Sequence, residues 1–226
     1  MNDKVKLLGI LGGVSVLTIS MIYLFSKLSS KPKKIESSFK NKLINLANEE
    51  FKAWNKNGKI KEGNPSILPR LRKYWEEGSG IIRDDNYYIN QAWSAAFISY
   101  LMRKSGAGND FKYSQSHSQY IAEAVKNKKE NNSKKFKAYK PNEVKVEVGD
   151  LVCYPRQSGV SYDSKAGYLS HCDLITSIKG NTAVGIGGNI SDSVSKDNYL
   201  LKEGKIDKSK DTKNYGGIFV VIKNKK

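Results

Sequence analysis

The hydrophobic period of the chain changes once, near Pro141, and that change limits the fold more than any other feature. Before it, apolar residues recur at three- and four-residue spacing, as on helices with one buried face. Phe39, Leu43, Leu46, Ala47 and Phe51 form the first stripe, with Ser37 or Ser38 available as a cap and an expected stop near Trp54. A second stripe runs through ILPRLRKYWEEG, with Leu68, Leu71, Tyr74 and Trp75 on one side and Gly78 as its stop. The third helix is expected over about Ala92 to Lys104 and the fourth near Ser116 to Asn127. After Pro141 the runs KVEVGDLVCYP, HCDLITSIKG, NTAVGIGG and GGIFVVIK are short, β-branched and punctuated by Gly, Asn or Pro, as strands are. The intervening NKKENNSKKFKAYKPNE reads as an exposed, lysine-dense loop. Helices followed by an antiparallel sheet give an α+β class, with the N-terminal helices packed on the sheet.

The N-terminus carries a separate signal. Leu7 to Phe25 is a stretch of 19 residues without a charge, long enough to cross a bilayer core as one helix. The following SKLSSKPKK has no small-x-small cleavage site, so an uncleaved single-pass membrane anchor is expected rather than a signal peptide. The expected organisation is an anchor over 1–26, a linker over 27–36 and a folded domain over 37–226. Lysines are denser on the C-terminal flank, which by the positive-inside rule would keep the domain cytoplasmic; a cell envelope or a viral membrane is the setting left open.

Charge narrows the partners. The chain has 39 basic and 22 acidic residues, a net +17, yet only Arg70, Arg72, Arg83, Arg103 and Arg156 are arginine. A lysine surface suits an anionic cell-wall or membrane polymer. Nucleic acid is not an expected partner, because base readers lean on the forked guanidinium. Cys153 and Cys172 sit in apolar runs and are expected to be buried thiols. No CxxC or Cys/His cluster has zinc spacing, so no structural metal is expected.

Any histidine chemistry must use His117 or His171. His171 opens the strand HCDLITSI, and a hairpin centred on Gly180 sets it opposite Asn189 in GIGGN. Residues directly opposite in a ladder have Cβ atoms about 4.5–5.5 Å apart, close enough for Asn to orient an imidazole as a general base. Ser94 in QAWSAAFIS lies at a helix start, where free amide groups suit a nucleophile or an oxyanion, although Ser is also a common cap. Secondary candidates for substrate contact are Trp93, His117, Asp173 and Asp192. Asp173 shares a strand face with His171, and His117 opens its own helix, where a capping role is the simpler reading.

The blocks WSAAFISYLMRKSG, SQSHSQYIAEAV, VEVGDLVCYPR, SHCDLITSI and IGGNISDSV, in this order, resemble the DUF2272 family of bacterial and phage domains. That family is similar to the NlpC/P60 and CHAP group of papain-like peptidoglycan hydrolases. The resemblance implies a helix-start nucleophile at Ser94, a strand-start base at His171 and an orienter at Asn189, acting on a cell-wall amide without a cofactor. The wider group has cysteine where this chain has Ser94. A serine hydroxyl cannot rest as an anion beside imidazole as a thiol can, so the position implies either a serine nucleophile or an inactive binding or structural module of the same fold.

Overall fold

Residues 38–55 and 59–226 are described in the computed structural model. The expected anchor, Leu7 to Phe25, and the linker over 27–36 lie outside the described residues. Among the described residues no helix is long and apolar enough to cross a membrane.

The first stripe forms helix α1, Ser38–Trp54, with Phe39, Leu43 and Ala47 buried. Glu50 is buried on the same helix because Arg70 pairs with its carboxylate at 2.8 Å and the Tyr74 hydroxyl donates to it. Helix α2, Leu68–Lys73, continues into a π-helical turn, Tyr74–Ser79. Gly78 does not stop this helix, as its sequence position suggested. A Cβ there would lie 2.5 Å from the Ala96 carbonyl oxygen, so glycine is needed for close packing, and the left-handed cap is Gly80 at φ 77°. Helix α3, Asp85–Asn90, was not anticipated; it is capped by Asp84, whose carboxylate accepts from the Tyr87 amide at 2.8 Å. Helix α4, Ser94–Ser105, is buried on nearly every side, and α5, His117–Lys129, follows it.

The second half forms one antiparallel sheet of seven strands: β1 Phe136–Tyr139, β2 Leu151–Pro155, β3 Ser170–Lys179, β4 Thr182–Gly187, β5 Ser195–Lys202, β6 Lys205–Ile206 and β7 Val220–Asn224. Their spatial order is β1-β7-β2-β3-β4-β5-β6. Side chains alternate between two faces. Cys153, Cys172, Leu174, Ile186 and Val220 join the core shared with the helices, while Val152, Tyr154, Ile175, Tyr199 and Val221 build a second core. The α+β expectation therefore stands, with helices and an antiparallel sheet in that order.

Three local expectations are corrected. The lysine-dense segment is not all loop: α5 runs to Lys129, and β1 pairs with β7, because Phe136 and Ala138 alternate inward between lysines. The run KVEVGDLVCYP yields strand only from Leu151, since Gly149 at φ 93° turns the chain and Asp150 is spent on Lys223 and the Asn224 amide. Finally, Cys153 and Cys172 are not free thiols. They face each other directly across β2 and β3, with Cα atoms 4.1 Å apart, and form a disulfide. Each cysteine's own apolar surroundings were readable; the register that pairs them was not.

Candidate functional site

Two helix starts meet at the site. Ser94 is the first residue of α4 and His117 the first of α5, and Ser94 Oγ lies 2.7 Å from His117 Nε2. One turn along α5, at a spacing that brings residues onto one face, the Tyr120 hydroxyl meets the other ring nitrogen, Nδ1. The tautomer protonated at Nδ1 donates to the Tyr120 oxygen and leaves Nε2 to accept the Ser94 proton. The first intrahelical bond of α4 runs from the Phe97 amide to the Trp93 carbonyl, so the amides of Ser94, Ala95 and Ala96 precede the ladder. Ser94 and His117 open onto a cleft of about 370 Å³ whose walls include Trp75, Tyr87, Gln91, Gln115 and Tyr168.

His171 stands behind this pair, its ring centroid 5.2 Å from that of His117. Its Nε2 donates to Asp173 at 2.9 Å, and its Nδ1 accepts from the Arg156 guanidinium at 3.2 Å. The Tyr199 hydroxyl donates to the second Asp173 oxygen. Burial would raise the Asp173 carboxyl, but the His171 ring and the hydrogen bonds from His171 and Tyr199 outweigh it and hold it below its ordinary 3.8. Both His171 and Asp173 are fully buried.

The pairing thus differs from the expected one. Ser94 meets His117 rather than His171, because the facing helix start brings an imidazole to the hydroxyl while both His171 nitrogens are engaged elsewhere. Asp173, two residues along the same strand face, bonds His171 where Asn189 was expected to, and it is fully buried. The hairpin explains why. Its tight turn pairs Lys179 with Thr182, and a bulge between Ile175 and Ser177 then shifts the register to pair Leu174 with Ile186. On that register 171 and 189 are equidistant, but pairing ends at Ile186 and the chain turns away at Asn189, φ 56°. Asp192 pairs with Lys61 at 3.5 Å and has φ 61°. Trp93 lies beneath the site, fully buried and stacked on Trp54 at 4.9 Å, with its indole nitrogen donating to Glu62. Among the described residues no group of three or more His, Cys, Asp or Glu is placed to hold a metal.

Tyr120, Arg156 and Tyr199 were missed as site residues. The i, i+3 spacing of His117 and Tyr120 was visible in the sequence; the other two reach the site only through strand order. Gly187 and Gly188 permit the packing. A Cβ on Gly187 would lie 2.0 Å from Asp173 Oδ1 and 2.8 Å from His171 Nε2, and one on Gly188 would strike Phe97 and Trp93. Gly187→Ala is expected to destabilise the protein by about 1–3 kcal/mol through overpacking. Equilibrium urea unfolding measures this, and a variant as stable as wild type would contradict the packing described.

Burial, then the neighbouring His171 and Arg156, hold the His117 imidazole well below its ordinary 6.5. In the unfolded chain the ring protonates near 6.5, so between that pH and the folded value the unfolded chain binds more protons. Stability from this group is complete above 6.5 and falls as pH drops toward the folded value, by up to about 1.4 kcal/mol per pH unit. His117→Gln is expected to flatten the slope of unfolding free energy over the first unit below pH 6.5. A slope equal to that of wild type would refute the assignment.

Comparison with known proteins finds one family, described as an uncharacterized protein conserved in bacteria (DUF2272), matching residues 64–216. No curated protein matches the chain. No solved structure matches it either.

Proposed function

The chain belongs to DUF2272, a family of uncharacterized proteins conserved in bacteria, and from that premise we propose that it is a serine hydrolase cutting an amide bond in cell-wall peptide. The observation that carries this reading is the 2.7 Å contact between Ser94 and His117 at a cleft. It has the nucleophile–base geometry of acyl transfer, with Tyr120 as the group that orients the base.

His117, kept neutral by burial, takes the Ser94 proton as Oγ bonds to the substrate carbonyl carbon. The amides at the start of α4 face the developing oxyanion, where fixed donors contribute most. Collapse breaks the carbon–nitrogen bond, and His117 returns the proton to the departing amine. Water then attacks the acyl-serine through the same base and frees the acid. Trp75, Tyr87 and Tyr168 offer ring surface to a peptide, and Gln91 and Gln115 offer amides to its backbone. In this reading the domain is a relative of the NlpC/P60 and CHAP hydrolases with serine in the nucleophile position.

The same proposal includes the membrane. The uncharged run from Leu7 to Phe25 anchors the chain, and the lysine surface holds the domain against anionic wall polymer. The Cys153–Cys172 bridge supports placement on the oxidising side of that membrane, against the orientation suggested by the flanking lysines.

A second reading, an inactive binding module, is favoured by one observation: His171, the base implied by the family resemblance, is buried with both nitrogens occupied. Release of muropeptides from purified wall by the full chain separates the two. Release that disappears in Ser94→Ala supports the serine hydrolase. No release by wild type together with release by Ser94→Cys identifies an inactive cysteine-hydrolase scaffold.

A further inference from the structure

Arginine is scarce in this chain, and four of its five copies have structural partners. Arg70 pairs with Glu50 and Arg72 with Asp85, while Arg83 and Arg103 lie over Tyr87 and Tyr113 and donate to backbone carbonyls. Arg156 is different. Among the described residues no carboxylate pairs with it. Its contacts are the His171 ring, at 3.2 Å, and the Tyr154 side chain.

Arg156 is exposed at the end of β2 and lines a cleft of about 330 Å³ with Tyr154, Thr212, Lys213, Asn214 and Tyr215. The Lys213 ammonium is fixed there, 2.5 Å from Asp197 and 4.5 Å from the Tyr154 ring centroid. Asp197 balances the charge of Lys213, which leaves the guanidinium as the uncompensated cation of the cleft. A planar fork with five donors, only partly used, matches a carboxylate or phosphoryl group, and Thr212 and Asn214 are side chains that hydrogen-bond such oxygens.

We propose that this cleft is an oxyanion-binding site, with the Arg156 fork as its anchor, separate from the cleft that holds Ser94. A bound oxyanion competes with His171 Nδ1 for the guanidinium. Occupancy therefore changes the hydrogen bonding of a ring that lies against His117. The ligand group is the terminal carboxylate of a peptide or the phosphoryl group of an anionic polymer, two sources with the same recognition chemistry.

The site is testable without any catalytic readout. The full chain is titrated with inorganic phosphate and, separately, with N-acetylglycine, at ionic strength held constant with chloride. Imidazole resonances are followed by NMR; with two histidines, His117→Gln assigns them. A saturable shift of the His171 signals with either probe is expected, and the tighter probe names the source. Arg156→Gln is expected to weaken binding at least tenfold, and Arg156→Lys, which keeps the charge and loses the fork, at least threefold. Shifts that follow ionic strength alone, or equal affinity in wild type and Arg156→Gln, would overturn the proposal. Because the wild-type titration stands alone, a poorly folded variant does not rescue it. Failure here leaves the hydrolase reading intact, and failure of wall hydrolysis leaves this site intact.

Discussion

Ser94→Ala is expected, under the proposed mechanism, to lower muropeptide release by about 10³–10⁶-fold, since removing the proposed nucleophile leaves only the contribution of binding and oxyanion donors. His117→Gln should fall into the same range, because glutamine fills similar space but cannot take the Ser94 proton. The double variant should be no worse than either single one: residues that act as a unit lose the same step once. His171→Gln is expected to be milder, since His171 faces Asp173 and Arg156 rather than the hydroxyl. An order in which His171→Gln abolishes release and His117→Gln leaves it intact would move the base back to the strand. Initial rates of new amino-terminus appearance from purified wall provide the measurement.

Loss of the disulfide is expected to give the largest stability effect. The bridge closes a loop of sequence separation 19, for which constraint of the unfolded chain contributes about 3 kcal/mol. The paired variant Cys153→Ser with Cys172→Ser is therefore expected to melt about 6–12 °C lower, given about 2–4 °C per kcal/mol for a domain of this size. Both cysteines are replaced together so that no buried thiol is left without its partner. Scanning calorimetry with and without reductant checks the result. Wild type in reductant should approach the variant, whereas a melting point insensitive to reductant would mean that the bridge is not formed.

The class of the fold was legible because period is a local property. Leu43 and Ala47 recur at helical spacing, and Leu151, Cys153 and Leu174 lie in short β-branched runs, without reference to any distant contact. The inner network was partly legible for the same reason: His171 and Asp173 are two apart on one strand and must share a face. What escaped was anything decided by how elements meet. Ser94 and His117 are 23 residues apart on different helices, and nothing in either motif says that their first turns converge. The Asn189 pairing was derived from a hairpin centre, and the bulge restores that register, but pairing with β3 ends at Ile186 and the chain turns away at Asn189. The disulfide depended on strand register, and Arg156 on strand order, neither of which composition contains. Burial of Glu50 likewise required Arg70 and Tyr74 to arrive from another helix.

Reaction of the full chain with a fluorophosphonate, which phosphonylates a serine activated by a base far faster than an ordinary hydroxyl, tests the pairing of Ser94 with His117 most directly. Intact mass and peptide mapping are expected to give one adduct, on Ser94, that forms with wild type and His171→Gln and disappears with His117→Gln. An adduct of equal yield in His117→Gln, or no adduct on a wild-type protein that hydrolyses wall, would contradict it.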